Sequence, residues 1–380
     1  MALGFVPYLL DHLSAVAGKN YPGMKITPAG FVKALVENKP SLNITRNGET
    51  IDPMQLNTLA GHIRELKLKF LPRALESQVE TEDNCDNDLQ FHYGESEITA
   101  PNFAKLSFWL DWRFVERYEK EASNPVNLGK PSYGTIKEME TQIMNTVNAI
   151  VQKMDTTLLT ATTWGENVVT GNNAATSINI DKSGSTLNLT DGILRILSDY
   201  QVNEGVGQPI IVGNGLMNSF EIGKSSFGAN GAGMNIAALS GYKWYHDIKS
   251  ATVWGANQVG VFQPGTIGLV DIDRYIAWKS GRHGTSHFAQ IELPIESGDG
   301  SITKMRFNIQ IKEMDCPAEY ATQYGVETGD RGWQVIITKR YGLWQMPGTT
   351  VQATDRLIDV NGAFRYALTN DCDPCPVPTS

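Results

Sequence analysis

Apolar residues recur at Ile136, Met139, Ile143, Val147, Ile150, Met154 and Leu158, in steps of three, four, four, three, four and four. That spacing keeps one stripe on one face of a helix and predicts a single rod from Thr135 to Leu159. Thr135 and Glu138 have the spacing of a capping box, in which hydroxyl and carboxylate each satisfy an otherwise unpaired amide. At 1.5 Å per residue the rod is roughly 36 Å long, well beyond the average globular helix, and reads as a spine.

Strand patterns surround it. Leu106, Phe108, Leu110, Trp112 and Phe114 alternate with Lys105, Ser107, Asp111 and Arg113, predicting one strand over 105–115 that only Trp109 interrupts. A polar link, Ser123 to Gly134, leads into the rod. Met305, Phe307, Ile309 and Ile311 alternate with Arg306, Asn308, Gln310 and Lys312, and Val335-Ile336-Ile337 forms an apolar run. If these late strands pair with Leu106 to Phe114, one sheet forms from segments on either side of the rod.

Between them, Gly165 to Ser185 reads as a hairpin or loop, Leu189 to Val202 as a helix, and Ile210-Ile211-Val212 as a buried strand. Gly213-Asn214-Gly215 ends that strand before a short helix, Leu216 to Ile222, and a Gly-rich loop, Ser225 to Gly241. Helix, strand and helix predict an inserted α/β subdomain. The first forty residues read as a loose arm with one short helix, opened by Thr27-Pro28 and carrying Phe31, Val32, Leu35 and Val36.

The charge pattern is sharpest between arm and first strand. Arg64, Lys67, Lys69 and Arg73 lie in a stretch where Leu66, Leu68 and Phe70 alternate with basic residues. From Ala74 to Ala104 there is no Lys or Arg, but Glu76, Glu80, Glu82, Asp83, Asp86, Asp88, Glu95 and Glu97 supply eight acids. A solvated surface loop is the bland account. The alternative is an extended hairpin that cannot order itself on its own core and pairs with neighbouring subunits.

The 380 residues are 41% hydrophobic and carry a net charge of −9, ample for a folded core and unfavourable for general nucleic-acid binding. No secretory signal and no membrane span is expected, because Asp11 and His12 interrupt the first apolar stretch and no long apolar run follows. Cys85, Cys316, Cys372 and Cys375 are too scattered for a disulfide scaffold and fit a reducing cytoplasm.

The sequence predicts no catalytic, cofactor or metal residue. Gly223-Lys224-Ser225 ends like a phosphate loop, but Asn218 stands where the earlier glycine belongs, and the same Asn spoils a dinucleotide fingerprint from Gly213. Ser240-Gly241-Tyr242-Lys243 has a nucleophile's spacing without the downstream Lys-Thr-Gly. His283 and His287 with Glu292, or Cys372 and Cys375 with Cys85 or Cys316, are metal sets only if folding gathers them. Trp109, Trp112, Trp244, Trp254, Trp278, Trp333 and Trp344 are better read as core than as a sugar platform.

Arm, hairpin, strand, spine, inserted subdomain and returning strands, in that order, resemble the major capsid protein of tailed bacteriophages, a fold similar to that of encapsulin shells. The residues that carry it are the Thr135 to Leu159 spine, the Arg64 to Glu97 hairpin, Ile210 to Met217, Val259-Gly260-Val261-Phe262 and Pro264 to Val270. The resemblance implies an α+β fold: an arm (1–60), an extended hairpin (61–100), a peripheral strand, spine and loop (101–188), an axial α/β subdomain with connecting strands (189–300), and returning strands with a tail (301–380). It also implies self-assembly as pentamers and hexamers into an icosahedral shell around double-stranded DNA, in the virion after assembly in host cytoplasm. Portal, scaffolding or decoration proteins would be partners, contact with packaged DNA would be weak, and no membrane would be bound. Arg64, Lys67, Lys69, Arg73, Glu76, Glu80, Glu82, Asp83, Asp86 and Asp88 would make the inter-subunit contacts. The alternatives are an encapsulin-like compartment and a cytoplasmic α/β enzyme without a recognised motif.

Overall fold

The computed structural model describes residues 29–38, 44–46, 49–51, 65–70, 94–99, 102–124, 133–162, 164, 176–179, 182–183, 186–187, 196–201, 207–214, 242–255, 258–271, 281–296, 302–325, 329–345 and 362–369. In chain order its strands are β1 (Ile44–Arg46), β2 (Glu49–Ile51), β3 (Glu65–Phe70), β4 (Gly94–Thr99), β5 (Asn102–Leu110), β6 (Thr176–Asn179), β7 (Lys182–Ser183), β8 (Thr186–Leu187) and β9 (Ile210–Gly213). The later ones are β10 (Lys243–His246), β11 (Gln258–Phe262), β12 (Ile267–Asp271), β13 (Gly281–His283), β14 (Ser286–Glu296), β15 (Ile302–Asp315), β16 (Arg331–Gln345) and β17 (Ala363–Thr369).

The rod is a helix over Tyr133–Ala161, 29 residues or about 43 Å. Met139, Ile143, Val147, Ile150, Met154 and Leu158 are all buried, so the stripe lies where the spacing put it. Its start differs: the helix begins two residues before Thr135, which is buried inside the first turn, while Glu138 pairs with Arg117. Those two therefore do not form the expected capping box.

The stripe rests on an antiparallel sheet of order β12-β16-β15-β14-β13, with β5 also on β16. Trp333 of β16 lies opposite Leu110 of β5, Val335 opposite Phe108 and Ile337 opposite Leu106, the pairing expected across the rod. Met305, Phe307, Ile309 and Ile311 are buried and Arg306, Asn308, Gln310 and Lys312 half-buried, as period two requires. The expected strand over 105–115 is cut short. Asp111 accepts the Phe114 amide at 2.8 Å and caps a helix, Trp112–Ser123, whose Phe114, Val115 and Tyr118 are buried while Trp112 is exposed. Period two ran on by coincidence of residue type.

The second sheet is mixed, in order β10-β9-β11-β17-β6, and β9 is buried throughout. Residues 196–201 are helical and set Ile196 and Tyr200 on it, where the second helix was expected. β6 and β17 join this sheet from outside 189–300, and β12 to β14 leave that segment for the other sheet. The Leu216 to Ile222 helix and the Ser225 to Gly241 loop lie outside the described residues.

The arm's helix, Gly30–Glu37, is the largest departure. Ala29 is its N-cap, while Thr27, expected to open it, lies outside the described residues; the helix is no part of a loose arm, for Phe31, Val32, Lys33, Ala34, Leu35 and Val36 are at most 3% exposed. The helix touches the long helix, β9, β10, β12 and β15, joining both sheets. Phe31 packs edge-on against Phe262 with ring centroids 6.1 Å apart and against Trp164 at 5.9 Å. Gly30 is needed there, since a Cβ would collide with the His246 carbonyl oxygen and lie 2.5 Å from its carbon.

Candidate assembly surface

β3 and β4 form an antiparallel ribbon apart from both large sheets, with Leu66 opposite Ile98, Lys67 opposite Glu97, Leu68 opposite Ser96 and Lys69 opposite Glu95. The register sets Lys67 and Lys69 each at a position across from a Glu of the same ribbon. The ribbon's principal contacts with its own chain are β1 and β16. Arg64, Arg73, Glu76, Glu80, Glu82, Asp83, Asp86 and Asp88 lie outside the described residues, so of the ten expected contact residues the register brings only Lys67 and Lys69 into a defined ladder.

β5 and the helix after it expose three large apolar side chains. Phe103 is 51% exposed and Leu106 42% on β5, Trp112 44% just beyond it. Arg340, opposite Phe103 in register, holds its guanidinium 4.9 Å from the Phe103 ring. Further along β5, on the face that carries Phe103, a helix, Ala318–Tyr324, packs: Tyr320 stacks on Trp109 at 6.2 Å and its hydroxyl meets Ser107 Oγ at 2.5 Å.

The junction beneath is polar but closed. Asp247 Oδ2 accepts the Phe31 amide at 2.8 Å, and its Oδ1 accepts those of Lys249 and Ser250 at 2.8 and 2.7 Å, so one carboxylate serves the starts of Gly30–Glu37 and of the single-turn helix Ser250–Val253. Asp155 of the long helix accepts the Val32 amide at 3.1 Å. Burial, with Asp247 beside it, pushes the Asp155 carboxyl well above the ordinary carboxylate range. At the other helix end Lys33 pairs with Glu37 at 3.1 Å, Tyr245 donates to Glu37 at 2.8 Å, and Lys243 donates to Asn38 at 2.7 Å. These groups fasten the helix to the long helix and to the second sheet, while Asp155 Oδ2 is buried without a hydrogen-bond partner.

Among the described residues no group of three or more His, Cys, Asp or Glu is placed to hold a metal. Register sets His283 opposite Ser286 and His287 opposite Arg282, at successive rather than shared positions. Cys316 is buried, and burial together with Asp330 pushes its thiol up. Cys85, Cys372, Cys375, Trp278, the Gly223-Lys224-Ser225 segment and Ser240 lie outside the described residues. Of the other tryptophans, Trp109, Trp254, Trp333 and Trp344 are buried, Trp244 is half-buried, and Trp112 alone among these is exposed. No described helix is long and apolar enough to cross a membrane.

Sequence reasoning missed the Asp155–Asp247 junction. A signal existed: Asp155 falls four residues after Val151 and before Leu159, inside the helix's buried face, where an unpartnered carboxylate would be costly.

Comparison with protein-family models finds no match, and neither does comparison with curated proteins. Among solved structures, the chain is similar to a virus-like particle protein from Pyrococcus furiosus, with TM-score 0.39 and 8% identity over 95% of this chain and 98% of that one. It is similar to the capsid of cyanophage P-SCSP1u, with TM-score 0.39 and 13% identity over 86% and 92% of the two chains. The capsid of cyanophage A-1(L) gives TM-score 0.38 and 12% identity over 87% and 97%.

Proposed function

We propose that this chain is a shell-forming structural protein, the major capsid protein of a tailed bacteriophage, whose copies close into an icosahedral container for double-stranded DNA. One observation carries the reading: a 29-residue helix lies across a sheet built from strands on both sides of it, while a charged ribbon stands apart from both large sheets. Closed shells need heterologous contacts that rotate into register, and a ribbon outside both large sheets would supply one. Asp247, Glu37 and Asn38 at the junction of helix and sheets are engaged in structural hydrogen bonds, which fits a building block.

Arg64, Lys67, Lys69, Arg73 and the acids from Glu76 to Asp88 belong to the segment through which neighbours would meet in pentamers and hexamers. A net charge of −9 keeps contact with packaged DNA weak. Portal and scaffolding or decoration proteins would complete the particle in the host cytoplasm. Negative-stain microscopy and sedimentation of the purified chain test this. Closed particles of megadalton mass support it, small particles filled with a protein guest support an encapsulin-like compartment instead, and a stable monomer or dimer overturns it.

A further inference from the structure

We propose that Asp155, Asp247 and the first turn of Gly30–Glu37 form a proton-held latch: one proton between the two carboxyl groups keeps that helix docked on the long helix and the second sheet, and its loss lets the helix open. The latch belongs to the single folded chain and does not depend on whether copies assemble.

Asp247 accepts three amides, Phe31 on Oδ2 and Lys249 and Ser250 on Oδ1, so it is held as a carboxylate with room for one more donor. Asp155 Oδ1 accepts the Val32 amide, whereas its Oδ2 is buried and no N–H or hydroxyl among the described residues reaches it. Two buried acceptors side by side repel unless a proton joins them. Carried on Asp155, that proton gives Oδ2 a partner, fills the last acceptor position of Asp247 and leaves a single charge among the amides.

The surrounding elements supply no cation to replace it. On the arm helix Lys33 pairs with Glu37 at the far end, where Tyr245 and Lys243 of β10 bind Glu37 and Asn38. Burial pushes His246, next to Asp247, towards its neutral form, and Lys249 draws on Asp155 more weakly than burial and Asp247 push the other way. On β16, Lys339 donates to the Arg306 carbonyl and burial keeps Tyr341 protonated. Arg117 and Lys120 of Trp112–Ser123 pair with Glu138 and Glu116. β9, β11 and Ser250–Val253 bring no ionisable group and β12 none before Asp271, while β5 and β15 turn residues such as Phe108 and Phe307 inward.

Opening the helix lets water reach Asp155 and returns it to the ordinary value of 3.8, so the open form gives up a proton that the docked form keeps. Above that value each pH unit favours opening about tenfold more, until the docked pair itself ionises. Burial of Phe31, Val32, Leu35 and Val36 opposes opening at every pH, and an eight-residue helix is too short to persist once off its site. Acid thus tightens the joint between the two sheets, and rising pH loosens it.

Hydrogen exchange of the full chain, read by mass spectrometry, tests this beside Asp155→Asn. In wild type, amides 31–37 are expected to be less protected than 305–311, through an opening that grows about tenfold per pH unit from about pH 5 to about pH 6.5 once intrinsic exchange is divided out. Residues 318–324 are the control and should show no such slope. In Asp155→Asn the slope at 31–37 is expected to vanish. An infrared band of a protonated carboxyl is expected in folded wild type at about pH 6, where ordinary carboxyls are ionised, and not in the variant. Protection shared by 31–37 and 305–311 at every pH overturns the latch, since nothing then opens short of unfolding. So does a slope that survives in Asp155→Asn, or wild type without the carboxyl band. Should the variant not fold, the wild-type slope and band decide.

Discussion

Asp155, from the long helix, and Asp247, from the turn after β10, close on the N-terminus of one buried helix: Val32 gives its amide to the first at 3.1 Å and Phe31 to the second at 2.8 Å. Both carboxyl groups are fully buried. Burial disfavours the charged form and Asp247 would repel a second charge, so the Asp155 carboxyl holds its proton to higher pH than an ordinary carboxylate. A segment read as a loose arm is fastened to the spine and to the second sheet at once.

Asp155→Asn keeps an acceptor for the Val32 amide and needs no proton. The wild-type group binds more protons folded than unfolded, so its contribution to stability is complete below the ordinary value of 3.8 and falls as pH rises through the raised folded value. Lys249 and the Val32 amide oppose that rise without cancelling it. The variant is expected to be more stable than wild type by roughly 1 kcal/mol at about pH 8 and to show a flatter pH profile. Asp247→Ala, which orphans three amides, is expected to lose about 2–4 kcal/mol. Urea melts at several pH values check both.

Gly30→Ala inverts a general rule. In an open helix that change stabilises by about 0.5–1 kcal/mol, because alanine loses less backbone freedom on folding. Here the added methyl meets the His246 carbonyl and comes within 2.9 Å of the Asp247 amide, and backbone cannot rotate away. A loss of about 2–3 kcal/mol is expected, read as a lower urea midpoint at unchanged slope.

The sequence made the spine and the sheet legible because their burial is periodic: Met139 to Leu158 obey the helical period and Met305 to Ile311 the strand period. It misled where two periods fit the same residues. Phe108, Leu110, Trp112 and Phe114 alternate perfectly, yet Asp111 turns the chain, since an Asp that can accept an amide three residues on favours a helix start over a strand interior. The arm helix was legible as a helix, and only its anchoring was not. Eight residues show an apolar face, but only tertiary structure shows that Lys33 and Gly30 are enclosed too. In the ribbon, block charges were visible, whereas the pairing of Lys67 with Glu97 depends on register, which a 23-residue gap between strands leaves undetermined by turn geometry.

Two tryptophans separate the readings of the 105–115 segment. Trp333 is fully buried, opposite Leu110, with its ring 5.4 Å from that of Tyr118 in an edge-on arrangement. Trp333→Ala is expected to cost about 3–5 kcal/mol. Trp112 would face the core were the strand continuous, but it begins the next helix and is exposed, so Trp112→Ala is expected to change stability by less than about 1 kcal/mol. Equal losses in thermal melts would restore the continuous strand.

Tyr366 anchors the second sheet to the helical residues above it. Its hydroxyl donates to Asp199 at 2.5 Å, and burial, reinforced by that carboxylate, drives its ionisation far above the ordinary tyrosine range. Burial alone pushes neighbouring Tyr200 up to about 12. For both, folding holds the proton, so their contribution is intact below the ordinary value of 10.0 and is lost only as pH climbs beyond it. Tyr366→Phe removes the donor while leaving Asp199 a buried-edge acceptor, and is expected to cost about 1–2 kcal/mol at neutral pH. In a spectrophotometric titration, wild type should withhold at least these two phenols until the protein unfolds in alkali. Their titration alongside exposed tyrosines in the folded protein would dissolve the claimed packing of helix on sheet.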